Sequence, residues 1–133
     1  MKIMIDTNIF ISAILNPKGR VAEALNKALS PPFYAVTSDY VLKELEDIFR
    51  IKFPNRISEL ESFFLTSLEV IQIIPTPIII SVIELTIRDP NDRPIIRTAI
   101  YSKVDYLLTG DKDFLASSIQ NPIIISVSDF LQL

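Results

Sequence analysis

Apolar residues fall into short, nearly continuous runs, separated by longer segments in which they recur every three or four positions. The first run, residues 2–5, stops at Asp6 and reads as a strand. Residues 8–15 then form a helix closed by Asn16-Pro17-Lys18-Gly19. A second helix fits residues 20–29, halted by Pro31-Pro32, and residues 33–37 read as a second buried strand. Ser38 or Asp39 is placed to cap a helix over residues 40–51, where Val41, Leu42, Leu45, Ile48 and Phe49 share one face. Another helix fits residues 55–68, and residues 70–74 make the third strand. Residues 77–87 carry isoleucines that suit a strand, but Pro77 as first helical residue and Glu84 suit a helix, and a helix is predicted. Asp89-Pro90-Asn91-Asp92 leads into a helix ending at Ser102; residues 106–109 and 123–126 are the fourth and fifth strands.

Strands alternating with helices, and strands apolar along their whole length, predict a parallel sheet covered on both faces. The expected fold is therefore α/β, with a five-stranded parallel sheet in one domain spanning residues 1–133. No linker, repeat or low-complexity segment interrupts it.

Composition narrows the chemistry. There is no cysteine and no histidine, which excludes disulfides, thiolate nucleophiles, Ser-His-Asp catalysis and imidazole-ligated zinc. Carboxylates, hydroxyls, lysine and arginine remain. The N-terminal run is broken by Asp6 and Asn8, unlike an export signal. Residues 70–85, the longest apolar region, contain Gln72, Pro75, Pro77 and Glu84, which argues against a membrane span. A soluble, cytoplasmic protein is expected. The net charge of −3 lacks the basic surplus usual in nucleic-acid binders.

The acids fall where a parallel sheet binds its ligands, beyond the carboxyl ends of the strands and at the point where strand order reverses. The first strand runs into Asp6, and the fourth runs through Thr109 and Gly110 into Asp111 and Asp113. If these two strands are central neighbours, their acids face each other. At about 100° per residue, Glu44 and Glu46 lie on opposite flanks of the buried stripe of their helix, and either is a candidate. Asp92 precedes Ile95 and Ile96 by three and four residues and so projects in phase with a buried face. Taken singly, Asp6, Asp92 and Asp111 are ordinary caps, and Glu44 an ordinary solvated charge. Together on one sheet edge they repel one another unless a hard divalent cation joins them.

These residues resemble a known family. Ile5-Asp6-Thr7-Asn8-Ile9-Phe10-Ile11-Ser12-Ala13 looks like the opening motif of PIN-domain nucleases, in particular the small VapC-like toxins of prokaryotic toxin–antitoxin pairs. Glu44 matches that family's acid on the helix after the second strand. Arg88-Asp89-Pro90-Asn91-Asp92 resembles its third acidic block, and Tyr106-Leu107-Leu108-Thr109-Gly110-Asp111-Lys112-Asp113-Phe114 its fourth. The likeness covers essentially the whole chain, departing only at Arg93-Pro94, where other polar residues are more usual. It implies a three-layer α/β/α fold, Mg²⁺ or Mn²⁺ held by Asp6, Glu44, Asp92 and Asp111 with Asp113 as an outer ligand, and single-stranded RNA as substrate. Asn8 and Thr109 are then polar groups that orient a carboxylate or water. Arg50, Lys52, Arg56, Arg93, Arg97 and Lys112 are candidate phosphate contacts. One carboxylate, Asp92 or Glu44, would accept the proton of the attacking water.

A haloacid-dehalogenase-like phosphatase also places an aspartate after its first strand, but its second aspartate is replaced here by Asn8. A receiver-type phosphoacceptor lacks its acid after the third strand, which ends Ile73-Ile74-Pro75. A catalytically silent PIN-like binding module is disfavoured by acids at all four matched positions. The mean hydropathy of +0.36 predicts apolar surface left over after folding. A homodimer face or an antitoxin groove over residues 55–68 or 77–85 would use it.

Overall fold

The computed structural model describes residues 1–133. Lys2–Ile5 (β1), Tyr34–Ser38 (β2), Ile71–Ile74 (β3), Tyr106–Leu108 (β4) and Ile123–Ile125 (β5) form one sheet in the order β3-β2-β1-β4-β5. Every pairing is parallel, with Met4 opposite Val36 on one side and Leu107 on the other. The chain builds outward from β1 to β3, then returns to β4 beside β1. The sheet order therefore reverses between β1 and β4, as the acid placement required. Right-handed crossovers put the connections on opposite faces before and after that reversal, giving the expected α/β/α layers.

The helices are Thr7–Leu15 (α1), Arg20–Ala28 (α2), Asp39–Lys52 (α3), Ile57–Ser67 (α4), Arg93–Tyr101 (α5), Lys112–Leu115 (α6) and Val127–Leu131 (α7). Local chemistry sets their ends. Ser38 accepts from the Val41 amide to start α3. Gly19 precedes α2 because a Cβ there would lie 2.6 Å from the Asn16 side chain. The central strands are sealed: Ile3, Met4, Ile5, Leu107 and Leu108 have no exposed surface. Full burial of such side chains contributes roughly 1.5–3 kcal/mol each, which makes β1 and β4 the rigid floor of the site. Helix α3 buries Val41, Leu45 and Phe49, whereas Leu42 and Ile48 are half-buried, so its inward stripe is narrower than the sequence suggested. No helix is long and apolar enough to cross a membrane.

Residues 77–87 do not form the predicted helix. Residues 75–81 are irregular, and Val82–Thr86 make a 3-10 turn. Pro75 and Pro77 remove backbone donors, and β-branched Ile78, Ile79 and Ile80 find no apolar face to cover. They point to solvent at 94%, 86% and 60% exposure, while Glu84 and Ile87 turn inward at 1% each. The segment is a strap across the surface, fastened by its two buried residues. Two short helices, α6 and α7, were not anticipated. Each is too short to show periodicity, and each starts from a capping side chain, Asp111 and Ser126 respectively.

Candidate metal centre

The site begins at the carboxyl ends of β1 and β4. Asp6 is both a cap and a site acid: its Oδ1 accepts from the Thr7 amide at 2.7 Å and its Oδ2 from the Thr109 hydroxyl at 2.6 Å. It is 4% exposed. Burial pushes its pKa up from the ordinary 3.8 to about 6; the Thr109 and Thr7 hydrogen bonds oppose that rise, and the charges of Glu44 and Asp111 add to it. Thr7 also turns its hydroxyl to the other side, donating to Glu44 Oε1. The first turn of α1 thus orients the acid that follows β1 and an acid on α3 at once.

Across the switch point, Thr109 Oγ1 accepts from the Asp111 amide at 2.9 Å, and Asp111 Oδ1 accepts from the Asp113 amide at 2.8 Å. One hydroxyl therefore ties Asp6 to the loop that carries Asp111. Asp92 enters from the other side, on a 3-10 turn of Pro90–Asp92 that runs directly into α5. One carboxylate oxygen from each of Asp92, Asp111 and Asp113 lies within 4.8 Å of the others. Partial burial, followed by the negative charges of Asp111 and Asp6 and a proton shared with Asp111, pushes Asp92 up to about 7.

Of the acids expected from the sequence, the fold gathers Asp92, Asp111 and Asp113 into one tight set. Asp113, expected as an outer ligand, stands in the tight set with Asp92 and Asp111. Asp6 and Glu44 adjoin that set, held by threonines. Glu46 is exposed on the far flank of α3, which resolves the choice that helical angle left open. Thr109 donates its hydroxyl to Asp6 Oδ2. Asn8 Oδ1 accepts from the Gly110 amide at 3.3 Å and so braces the β4 loop.

Three contributors were missed by the sequence reading. Thr7 orients Glu44. Tyr40 donates its hydroxyl to the Asn91 carbonyl at 2.6 Å, joining α3 to the turn that presents Asp92. Arg88 donates to both oxygens of Asp113, with Nη2 to Oδ2 at 2.8 Å. Only Thr7 and Arg88 lay inside motifs already singled out, and nothing in their spacing revealed a partner. Of the candidate phosphate contacts, the fold turns Arg97 away from the surface. Arg97 grips buried Glu84 with two hydrogen bonds and the Pro77 carbonyl with a third, so it faces the interior. Arg56 is held by Glu59 and the Leu15 carbonyl, Arg93 by the Ile87 carbonyl, and Arg50 by Asp47. Lys52 lies with Lys43, Tyr40 and Asn91 along an open groove of about 330 Å³ that includes Glu44 in its wall. Lys112 is exposed beside Asp111.

An all-oxygen donor set, in which burial and then mutual repulsion push Asp92 up to about 7, suits a hard divalent cation such as Mg²⁺ or Mn²⁺. A family model described as PIN domain matches residues 2–113. The chain belongs to the PIN domain family. That PIN domain match runs from β1 to Asp113, so the five acids lie inside it. The chain is also 31% identical over 130 residues to the uncharacterized protein MJ1680 of Methanocaldococcus jannaschii, covering 91% of this chain and 77% of that protein. Two solved structures share the PIN domain architecture. A chain of VapBC2 from Rickettsia felis, bound to a DNA fragment from its promoter, superposes with a TM-score of 0.70 at 22% identity, covering 95% of this chain and 98% of that one. A chain of DNA-bound VapBC from Salmonella typhimurium gives 0.69 at 19%, covering 96% and 98%. At those identities the likeness establishes the fold.

Proposed function

We propose that this PIN domain is a Mg²⁺- or Mn²⁺-dependent endoribonuclease that hydrolyses single-stranded RNA, acting as the toxin of a VapC-like toxin–antitoxin pair. The observation that carries the reading is the convergence of Asp92, Asp111 and Asp113 on a space within 4.8 Å, flanked by Asp6 and Glu44. Asp6, Glu44, Asp92, Asp111 and Asp113 would hold the ion. A bound divalent ion activates water and offsets charge on the phosphodiester. The chain's own residues supply the rest. The Thr7 amide and Thr109 hydroxyl keep Asp6 in one rotamer, and the Thr7 hydroxyl keeps Glu44 facing the cluster. Lys52, along the groove that Glu44 helps to wall, offers a phosphate contact beyond the acids. The overall charge of −3 is then no obstacle, because the acidic centre is neutralised by its ions.

A phosphatase of the haloacid-dehalogenase type needs a second carboxylate where Asn8 stands, and Asn8 is engaged with Gly110. The strap supports protein partners. Ile78, Ile79, Ile80, Val82, Ile83, Leu85 and neighbouring Tyr101 are all exposed large apolar residues. Contiguous exposed apolar residues of this kind mark surfaces that meet partners. We assign it to a homodimer contact, with a small antitoxin as the second partner, the kind of complex named for the VapBC structures that share this fold.

The test is incubation with single-stranded RNA, and separately with p-nitrophenyl phosphate, in Mg²⁺ or Mn²⁺ and then in EDTA. RNA cleavage lost in EDTA and in Asp6→Asn is expected. Phosphatase activity alone, or cleavage unchanged in Asp6→Asn, overturns the reading. Light scattering that gives a strict monomer at high concentration overturns the homodimer.

A further inference from the structure

Arg88 is the arginine whose ion-pair partner is itself one of the clustered carboxylates. Its side chain is 81% exposed, against 31% for Asp113, and it reaches both oxygens of that acid. Exposed pairs of this kind contribute little to stability and exchange readily for another partner. The backbone around Arg88 is by contrast fixed. Ile87 is buried and its carbonyl accepts from Arg93 Nε at 3.0 Å, while the Asp89 side chain accepts from the Asn91 amide at 2.9 Å. Upstream, Glu84 is clamped by Arg97. The guanidinium therefore swings from a fixed root at the rim of the acidic cluster, with freedom only in its side chain.

We propose that Arg88 is a substrate-contacting residue, resting on Asp113 in this structure and transferring to a phosphate of the RNA once a divalent cation claims that carboxylate. This rests on the nuclease reading above. The planar fork that now matches the two oxygens of Asp113 matches two oxygens of a phosphate equally well, which an ammonium does not. The exchange is favourable in both directions of charge: the cation replaces Arg88 on the acid, and the released arginine meets the anion that the acids would otherwise repel. Arg88 thus competes with metal and cooperates with RNA. A purely structural partner of Asp113 would help both.

The opposite signs are the test. Mn²⁺ affinity is measured by calorimetry on wild type, Arg88→Ala and Arg88→Lys. Binding of single-stranded RNA is measured against salt with Ca²⁺ replacing Mn²⁺, and cleavage in Mn²⁺. Arg88→Ala is expected to bind Mn²⁺ about threefold to tenfold more tightly, and to lose about one unit of salt dependence in RNA binding. Its cleavage should fall at least tenfold, with Arg88→Lys in between. Thermal melting that matches wild type shows the variant to be folded. Mn²⁺ affinity unchanged or weakened in Arg88→Ala, or an unchanged salt slope, overturns the proposal while wild type still cleaves. Wild type that cleaves no RNA in any metal overturns the nuclease reading itself, a distinct result.

Discussion

Asp6→Asn separates the cost of a buried charge from the role of that charge in the site. Asp6 is 4% exposed and its carboxyl is pushed from 3.8 to about 6, chiefly by burial. A carboxyl raised on folding binds its proton more tightly in the native state than in the unfolded chain. Stability is therefore full below about pH 4 for this group and falls as the pH rises through about 6. At roughly 1.4 kcal/mol per pH unit, the gap between the two values costs about 3 kcal/mol at pH 8. Asparagine carries no charge, keeps an acceptor for the Thr7 amide, and turns its NH₂ toward Thr109 Oγ1. That oxygen already accepts from the Asp111 amide, so the threonine proton loses its acceptor, at a cost of about 1 kcal/mol. The net expectation is a variant about 1–2 kcal/mol more stable than wild type at pH 8 in EDTA, a rise on the order of 5 °C in melting temperature for a chain of this length. At pH 4.5 wild-type Asp6 is protonated when folded, and the gain should vanish or reverse. Asp39, held below its ordinary value first by the Thr76 hydroxyl, stays ionised in the folded protein throughout this window and does not contribute to the difference. The measurement is differential scanning calorimetry at the two pH values. Asp6→Asn destabilising the protein equally at both would refute the claim that burial costs Asp6 more than its two hydrogen bonds return.

Mn²⁺ should raise the melting temperature of wild type more at pH 8 than at pH 4.5, where Asp6 and Asp92 carry protons; an ion held at a hundredfold its Kd contributes about 2.7 kcal/mol. Equal shifts at both pH values would disprove ligation by Asp6 and Asp92. Thr109→Val removes the hydrogen bond that lowers Asp6, so the Asp6 carboxyl, followed by ¹³C NMR without metal, should titrate at higher pH than in wild type; an unmoved titration would show that Thr109 does not act on Asp6. Glu44→Gln keeps an acceptor for the Thr7 hydroxyl and should retain wild-type stability while cleavage falls about a hundredfold or more, and undiminished cleavage would remove Glu44 from the site. Arg97→Ala strands buried Glu84 and should cost about 3 kcal/mol in chemical denaturation, whereas Arg97→Met with Glu84→Leu should recover most of it. A single variant as stable as wild type would mean that the pair does not fasten the strap.

How much of this was readable from the chain alone differs from element to element. Apolar runs such as Ile3-Met4-Ile5 and Leu107-Leu108 determined the strands, because a strand buried on both faces has no other composition. Helical spacing determined α3 and α5 because each sets one apolar stripe against the sheet. The acids stood out because four motifs occur in order. The strap defeated the same reasoning. Its isoleucines carry no period that packing enforces, and its course is decided by Arg97, ten residues beyond Ile87, gripping Glu84 and the Pro77 carbonyl. No local pattern records that contact.

The sequence by itself determined which acids sit at strand and helix ends, since chain-local chemistry dictates where β1 and β4 stop and where α5 begins. Tertiary structure alone decided their company. Pairing β4 with β1 lets one hydroxyl, Thr109, hold Asp6 from 103 positions away and places Asp113 within reach of Arg88. It also decided which cations face outward, turning Arg97 into an interior clamp and leaving Arg88 at the rim. The reason is that a hydrogen bond or an ion pair depends on distances of about 3 Å, and only the closed fold sets such distances between residues far apart in the chain.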